Sequence, residues 1–325
     1  MEDQIFENRI DLSALNQAVT DISGEIKKII VGQDEMVRLI ITALLADGHV
    51  LIEGVPGVAK TLTAKLVARS VNAVFSRIQF TPDLMPSDVI GTPVFNPGDA
   101  RFEFKKGPVF GNIILVDEIN RAPAKTQAAL LEVMEERQIS VDGKTYTMDA
   151  PFMVIATQNP VEQEGTYRLP EAQLDRFLFK IEVPYPSEEE ELQILGKFNT
   201  MGSHKAIDTI TQMLSGAQVN TLREQVKEII IEEKLLAFIA KLVNQTRNNK
   251  SIYLGASPRA SLSIMNASKA MAAIQGRDFV TPDDIIAVAL PVLRHRIILS
   301  PEKEMEGTSE NDVIRQIING LEIPR

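Results

Sequence analysis

The sequence predicts an α/β domain, with a parallel sheet lying between helices, followed by an all-α domain. From Val31 to Val183, short apolar runs of strand type alternate with helical segments, the pattern of a sheet covered on both faces. Asn112 to Val116 (NIILV) is continuously apolar, as a strand buried on both sides of a parallel sheet requires. Beyond about residue 188 the strand signal largely fades and helices dominate. The expected domains are therefore 1–187, an α/β core, and 188–325, a helical domain.

The expected strands are 49–53, 75–80, 112–116, 151–157 and 177–183. Two stretches exceed a minimal sheet. In 81–110, Thr92 to Phe95 and Arg101 to Phe104 flank the turn sequence Asn96-Pro-Gly-Asp99, which suggests an inserted hairpin. In 138–148 (QISVDGKTYTM), Asp142-Gly143 supplies a tight turn between alternating segments. In the second half, Ser187 reads as an N-cap before the acidic run Glu188 to Glu191. Glu232 to Arg247 carries Leu235, Phe238, Ile239 and Leu242 at helical spacing. Ser257-Pro258 and Thr281-Pro282 each place a hydroxyl cap before a proline at the first helical position. Ser309 to Asp312 begins a last helix that Gly320 stops.

At 325 residues the chain is long enough for two domains and a substantial core. No apolar run approaches the ~20 residues of a membrane-spanning helix, and the acidic start MEDQIFENRID is unlike a signal peptide. A soluble, cytoplasmic protein is the expectation. There is no cysteine, which removes disulfides and thiolate metal sites. His49, His204 and His295 are scattered without ligand spacing and read as structural or surface residues. The formal charge of −10, from 34 Lys plus Arg against 44 Asp plus Glu, disfavours nonspecific nucleic-acid binding.

Two motifs carry chemistry. Gly54-Val55-Pro56-Gly57-Val58-Ala59-Lys60-Thr61, between a strand and a helix opening toward Leu62, reads as a phosphate-binding loop. Glycines let backbone N–H groups turn around phosphate oxygens, and the helix aims its positive N-terminus at the same anion. Lys60 would then sit on the β and γ phosphates of a nucleoside triphosphate, and Thr61 would offer its hydroxyl to magnesium. Ala59 replaces the glycine of the general pattern. The second motif is Asp117-Glu118 at the end of the NIILV strand. Asp117 is placed near magnesium, and Glu118 is placed to accept a proton from, or orient, an attacking water.

The whole set resembles the AAA+ ATPases and, more narrowly, the MoxR family. The likeness covers nearly the full chain: Val31-Gly32-Gln33, EGVPGVAKT at 53–61, RIQFTPDLMPSDVIG at 77–91, ILVDEINRAPAKTQAALLEVMEE at 114–136, ATQNP at 156–160, LPEAQLDRF at 169–177 and GASPRA at 255–260. Ala59 looks like the MoxR version of the loop. The resemblance implies an AAA+ core with a helical lid, ATP and magnesium as ligands, and Val31 and Gly32 beside the nucleotide. It implies that Asn159 is the polar sensor facing the γ-phosphate. It also implies that Arg176 is a finger reaching a neighbouring subunit's site, with Arg168 the second candidate, and that Arg259 is a lid arginine contacting nucleotide. An ion pair of Arg176 with Asp175 or Glu171 is the competing structural reading. The implied assembly is a homo-hexameric ring acting on a client protein complex, with a von Willebrand factor A (VWA) domain partner. Asp11-Leu-Ser13-Ala14-Leu15 lacks the second serine of that domain's metal motif, so such a domain would come from another chain. A DNA-linked motor and an ATP-switched assembly scaffold stay open as alternatives.

Overall fold

The structure is a computed structural model and describes residues 11–55, 57–160, 166–201 and 212–324. A five-stranded parallel sheet occupies the first half: β1 (Val50–Gly54), β2 (Phe75–Gln79), β5 (Ile113–Asp117), β8 (Met153–Gln158) and β9 (Phe179–Val183), in the order β2-β5-β8-β1-β9. Each strand lies within two residues of its expected span. β8 starts late because Pro151 has no N–H for the ladder, and β9 starts late because the Phe177 carbonyl is taken by lid side chains.

Alternation along the central strands explains why both sheet faces are covered. Val50, Ile52, Ile113, Leu115, Met153 and Ile155 face α1 (Ser13–Ile29), α2 (Asp34–Leu45) and α3 (Lys60–Ser70) in one apolar cluster. Leu51, Ile114, Val116, Val154 and Ala156 face the other way, into a cluster with Leu130, Leu131 and Met134. Those three residues belong to α5 (Ala124–Glu136), which follows the short α4 (Pro86–Ile90). Both expected hairpins form. β3 (Gly91–Asn96) pairs with β4 (Arg101–Lys106), and β6 (Gln138–Val141) pairs with β7 (Lys144–Thr147) across Asp142-Gly143, whose φ angles of 50° and 74° suit a two-residue turn. Phe104 on the first hairpin packs on Tyr146 of the second, with ring centroids 4.6 Å apart.

After α6 (Glu171–Leu174) and β9, the chain is helical: α7 (Glu188–Met201), α8 (Gly216–Lys227), α9 (Glu233–Asn248), α10 (Pro258–Ile274), α11 (Pro282–Leu293), α12 (Pro301–Met305) and α13 (Glu310–Asn319). The predicted caps form. Ser187 exchanges hydrogen bonds with Glu190 and Ser309 does so with Asp312, and Thr281 and Asp284 form a capping box. The expected all-α lid carries one addition, a short antiparallel ribbon of β10 (Ile252–Leu254) with β11 (Ile298–Leu299). The proposed division at 187/188 falls between β9 and α7. Across it the apolar cluster is continuous, with residues of α8 to α11 and α13 packed with those of α1 to α3.

His49 and His295 are buried, as a structural reading requires, while His204 lies outside the described residues. Val154 N–H donates to His49 Nδ1 at 3.0 Å, so Nε2 carries the proton that meets the Met134 carbonyl at 3.2 Å. Burial, and then the charge of Arg137, pushes the His49 imidazole from its ordinary 6.5 down to about 3. Burial, and then Arg296, pushes His295 well below its ordinary value. Both are therefore neutral when folded and protonate more readily when unfolded. Their contribution to stability is complete above the unfolded value of 6.5 and is lost as pH falls below it toward the folded values. The unfolding free energy should thus drop by roughly 2–3 kcal/mol between pH 7.5 and 5.5, about 1.4 kcal/mol per histidine. Denaturant titration at the two pH values checks this, and a flat profile would contradict it.

Candidate functional site

The loop 55–59 joins the carboxyl end of β1 to the start of the 11-residue helix α3. A Cβ on Gly54 would sit 2.9 Å from the Val183 carbonyl oxygen, so the close pairing of β1 with β9 needs glycine there. Gly57 has φ +91°, which glycine adopts without penalty. Ala59 has φ 60° and ψ 19°, the left-handed conformation, at a cost of about 1–2 kcal/mol for an L-residue. Its carbonyl accepts from the Thr63 N–H at 2.9 Å and the Thr63 hydroxyl at 3.0 Å, which holds the strained residue in place. The left-handed turn at Gly57 and Ala59 leads directly into the N-terminus of α3, the positive end of its dipole.

Lys60 is the first residue of α3, and its Nζ donates to the Gly54 carbonyl at 2.6 Å and the Gln158 carbonyl at 3.4 Å. It therefore bridges the ends of β1 and β8. Asp117, at the end of β5, is buried; its carboxylate accepts from Arg77 Nε at 2.7 Å, Thr157 Oγ1 at 3.2 Å and Thr61 Oγ1 at 3.3 Å. Glu118 is a second left-handed residue, with φ 57° and ψ 52°, and its N–H donates to Thr157 Oγ1 at 3.0 Å. Its carboxylate accepts from Gln79 Nε2 at 2.8 Å and pairs with Arg121 Nε at 3.2 Å. Two strained non-glycine residues thus flank one cleft of about 350 Å³. That cleft is lined by Gly57, Ala59, Lys60, Thr61, Leu62, Asp117, Glu118 and Asn159. The Thr61 hydroxyl and the Asp117 carboxylate are hard oxygen donors of the kind that would fit a magnesium ion.

Arg77, Gln79 and Thr157 also line the cleft and were not assigned from sequence. β2 pairs with β5 so that Gln79 lies opposite Asp117. The RIQ triplet is visible in the chain, but that cross-strand register is not. Of the other loop residues, Val58 turns its side chain into the core, so only its backbone can serve a ligand. Gly54 and Val55 line a second cleft of about 520 Å³ on the other flank of the loop, with Gly32, Gln33, Tyr185, Arg294 and Asn311. Val31 is half-buried beside Gly32, between α1 and α2. Pro56 lies outside the described residues.

The remaining arginines stand apart from the loop cleft. Arg176 Nη1 donates to the Leu131 carbonyl at 2.7 Å and lies 3.9 Å from Glu135. Neither Asp175 nor Glu171, the partners considered from sequence, pairs with it in the structure. Asp175 instead binds Arg296 at 2.6 Å and the Ser257 hydroxyl at 2.8 Å. Arg259, at the start of α10, forms a two-armed pair with the same Glu135 at 2.7 and 3.3 Å. Within one chain, therefore, Arg259 does not reach the cleft that holds Lys60. Arg168 is exposed in the segment before α6.

Comparison with known proteins accords with this geometry. The pattern of the "ATPase family associated with various cellular activities (AAA)" matches residues 49–179, and that of an AAA lid domain matches residues 244–317. The chain is similar to Chaperone MoxR1 of Mycobacterium tuberculosis, at 46% identity over 93% of this chain and 81% of that protein. Protein MoxR of Methylorubrum extorquens is 30% identical over 96% and 97% of the two chains. A crystal structure from Cytophaga hutchinsonii superimposes with a TM-score of 0.88 at 42% identity, covering 96% of this chain and 97% of that one.

The strain at Ala59 is testable without ligand. Ala59→Gly should leave the unfolding free energy unchanged or raise it by up to ~1 kcal/mol, because glycine occupies the left-handed region freely. A loss of about 1 kcal/mol in denaturant unfolding, the usual effect of Ala→Gly in a helix, would contradict the assigned backbone.

Proposed function

The chain belongs to the MoxR family of AAA+ ATPases, and on that premise we propose that it hydrolyses ATP with magnesium as one subunit of a ring, remodelling a client protein complex. The observation that carries this reading is the convergence of Lys60, Thr61, Asp117, Glu118 and Asn159 on one cleft at the carboxyl edge of the sheet. Polyphosphate lies in the concavity before α3, and Lys60 exchanges its carbonyl partners for β and γ oxygens. Thr61 and Asp117 would hold a magnesium ion, which would supply positive charge against the phosphate oxygens. Water attacks the γ-phosphorus and the bond to ADP oxygen breaks. Glu118 accepts or steers the water's proton, while Asn159 orients water against the γ-phosphate. Gln79 and Arg121 hold the Glu118 carboxylate in the meantime. The neighbouring cleft, lined by Gly32, Gly54 and Val55, takes the nucleoside end.

Arg176 and Arg259 share one acidic partner, Glu135, away from their own chain's loop. We assign both to the site of the next subunit, where two guanidinium groups against one carboxylate leave net positive charge for phosphate. A homo-hexamer closes such a head-to-tail contact. The VWA-domain partner and a cytoplasmic setting belong to the same proposal, on the strength of the MoxR relationship.

An arginine supplied in trans can contribute ~10³ to 10⁵ in rate, so specific ATPase activity should rise with protein concentration as subunits associate. Arg176→Ala should abolish that rise. Glu118→Gln should bind ATP normally yet hydrolyse it slowly. Activity independent of concentration, or full turnover by the Glu118→Gln protein, would overturn these assignments.

A further inference from the structure

Arg296 is almost wholly enclosed, with 2% of its side chain exposed, and most of its hydrogen bonds leave its own domain. Nε donates to Asp175 Oδ1 at 2.6 Å. Nη2 reaches the Asp175 carbonyl at 3.1 Å and the Phe177 carbonyl at 2.7 Å, and Nη1 reaches the Leu178 carbonyl at 3.3 Å. Only the Val292 carbonyl at 2.7 Å and the Ser263 hydroxyl at 3.1 Å belong to the lid. An arginine that merely neutralised Asp175 would need the carboxylate alone. This one grips the peptide carbonyls on both sides of Arg176.

The neighbours complete the grip. His295 Nε2 meets the same Phe177 carbonyl at 2.9 Å. Ser257 donates to the second Asp175 oxygen at 2.8 Å and also caps α10, two residues before Arg259. The base of Arg176 is thus fixed from the lid, while its tip has one short hydrogen bond, to the Leu131 carbonyl, and a 3.9 Å approach to Glu135. That is the geometry of a side chain whose origin is rigid and whose end can exchange partners.

We propose that Arg296 is a positioning residue for Arg176: it transmits the seat of the lid to the backbone from which Arg176 is presented to the adjoining subunit. The inference rests on the reading that Arg176 acts in a neighbour's site, and it places lid docking and the presented cation under one control. Arg294, two residues earlier, pairs with Glu182 at 2.9 Å in the cleft beside the phosphate loop. The same three-residue segment therefore touches the nucleotide side of its own chain and the support of Arg176.

Subunit mixing tests this. Arg296→Lys keeps the charge but loses the fork, and alone should lower kcat by about 10²-fold, the scale of a misplaced reacting group. Its own loop is untouched, so ATP binding should stay within about twofold, well inside the 1.4 kcal/mol of a tenfold change. Mixed with hydrolysis-deficient Glu118→Gln subunits, it should recover activity well above the sum of the separate proteins. The recovery arises because the Glu118→Gln subunit brings a correctly held Arg176 to an intact Lys60 site. Arg176→Ala mixed in the same way is the control. If the control recovers and Arg296→Lys does not, Arg296 is only structural and the proposal fails while the trans reading stands. If neither recovers, the trans reading fails and takes the proposal with it. Should Arg296→Lys lose cooperative unfolding, Asp175→Asn and Ser257→Ala perturb the same support, and absence of recovery in both would equally overturn the proposal.

Discussion

A lysine at the first position of a helix sits where the peptide dipoles already concentrate positive charge, and the rest of this structure is arranged around that placement. Lys60 opens α3, and its ammonium is held by the carbonyls of Gly54 and Gln158 at the ends of β1 and β8. Both features gather positive potential on one edge of the sheet, an arrangement suited to an anion of high charge density. Parallel pairing makes the arrangement possible, because it delivers the carboxyl ends of β1, β5 and β8 to the same edge. Asp117 and Glu118 arrive there from β5, and Asn159 follows β8.

Strain and polar support coincide at this edge. Ala59 and Glu118 both occupy left-handed backbone, and each is over-determined by its surroundings: Ala59 by the Thr63 amide and hydroxyl, Glu118 by Thr157, Gln79 and Arg121. Thr157 serves the two acids at once, donating to Asp117 and accepting from the Glu118 N–H. In a second framework, Asp175, Arg296 and Ser257 join the lid to the segment entering β9. A buried pair of this kind is costly to break from one side, on the order of 3–5 kcal/mol, so the lid seat is firmly tied to its neighbourhood.

What could be read from the chain was local chemistry. The strand–loop–helix around Lys60, the hydroxyl caps and the Asp142-Gly143 turn depend on residues a few positions apart, and these elements form where their spacing places them. Strand ends shifted where a distant group intervened: the start of β9 moved because His295 and Arg296 occupy the Phe177 carbonyl. Arg77 and Gln79 escaped notice because their roles exist only through the register of β2 on β5. Arg259 was expected to contact nucleotide by resemblance alone, and its pairing with Glu135, 124 residues earlier, could not be seen from a helix-start pattern. The β10–β11 ribbon is too short for alternation to announce it.

The central claim is that polyphosphate is held at the amino end of α3 by Lys60 and the loop before it. Calorimetric titration of ATP, with magnesium present, into the native chain and into Lys60→Ala tests it most directly. The account predicts one site per chain and at least about tenfold weaker binding in the variant, a change of 1.4 kcal/mol, with its unfolding transition retained. Equal affinity in the two proteins, or no heat of binding in the native chain, would contradict it.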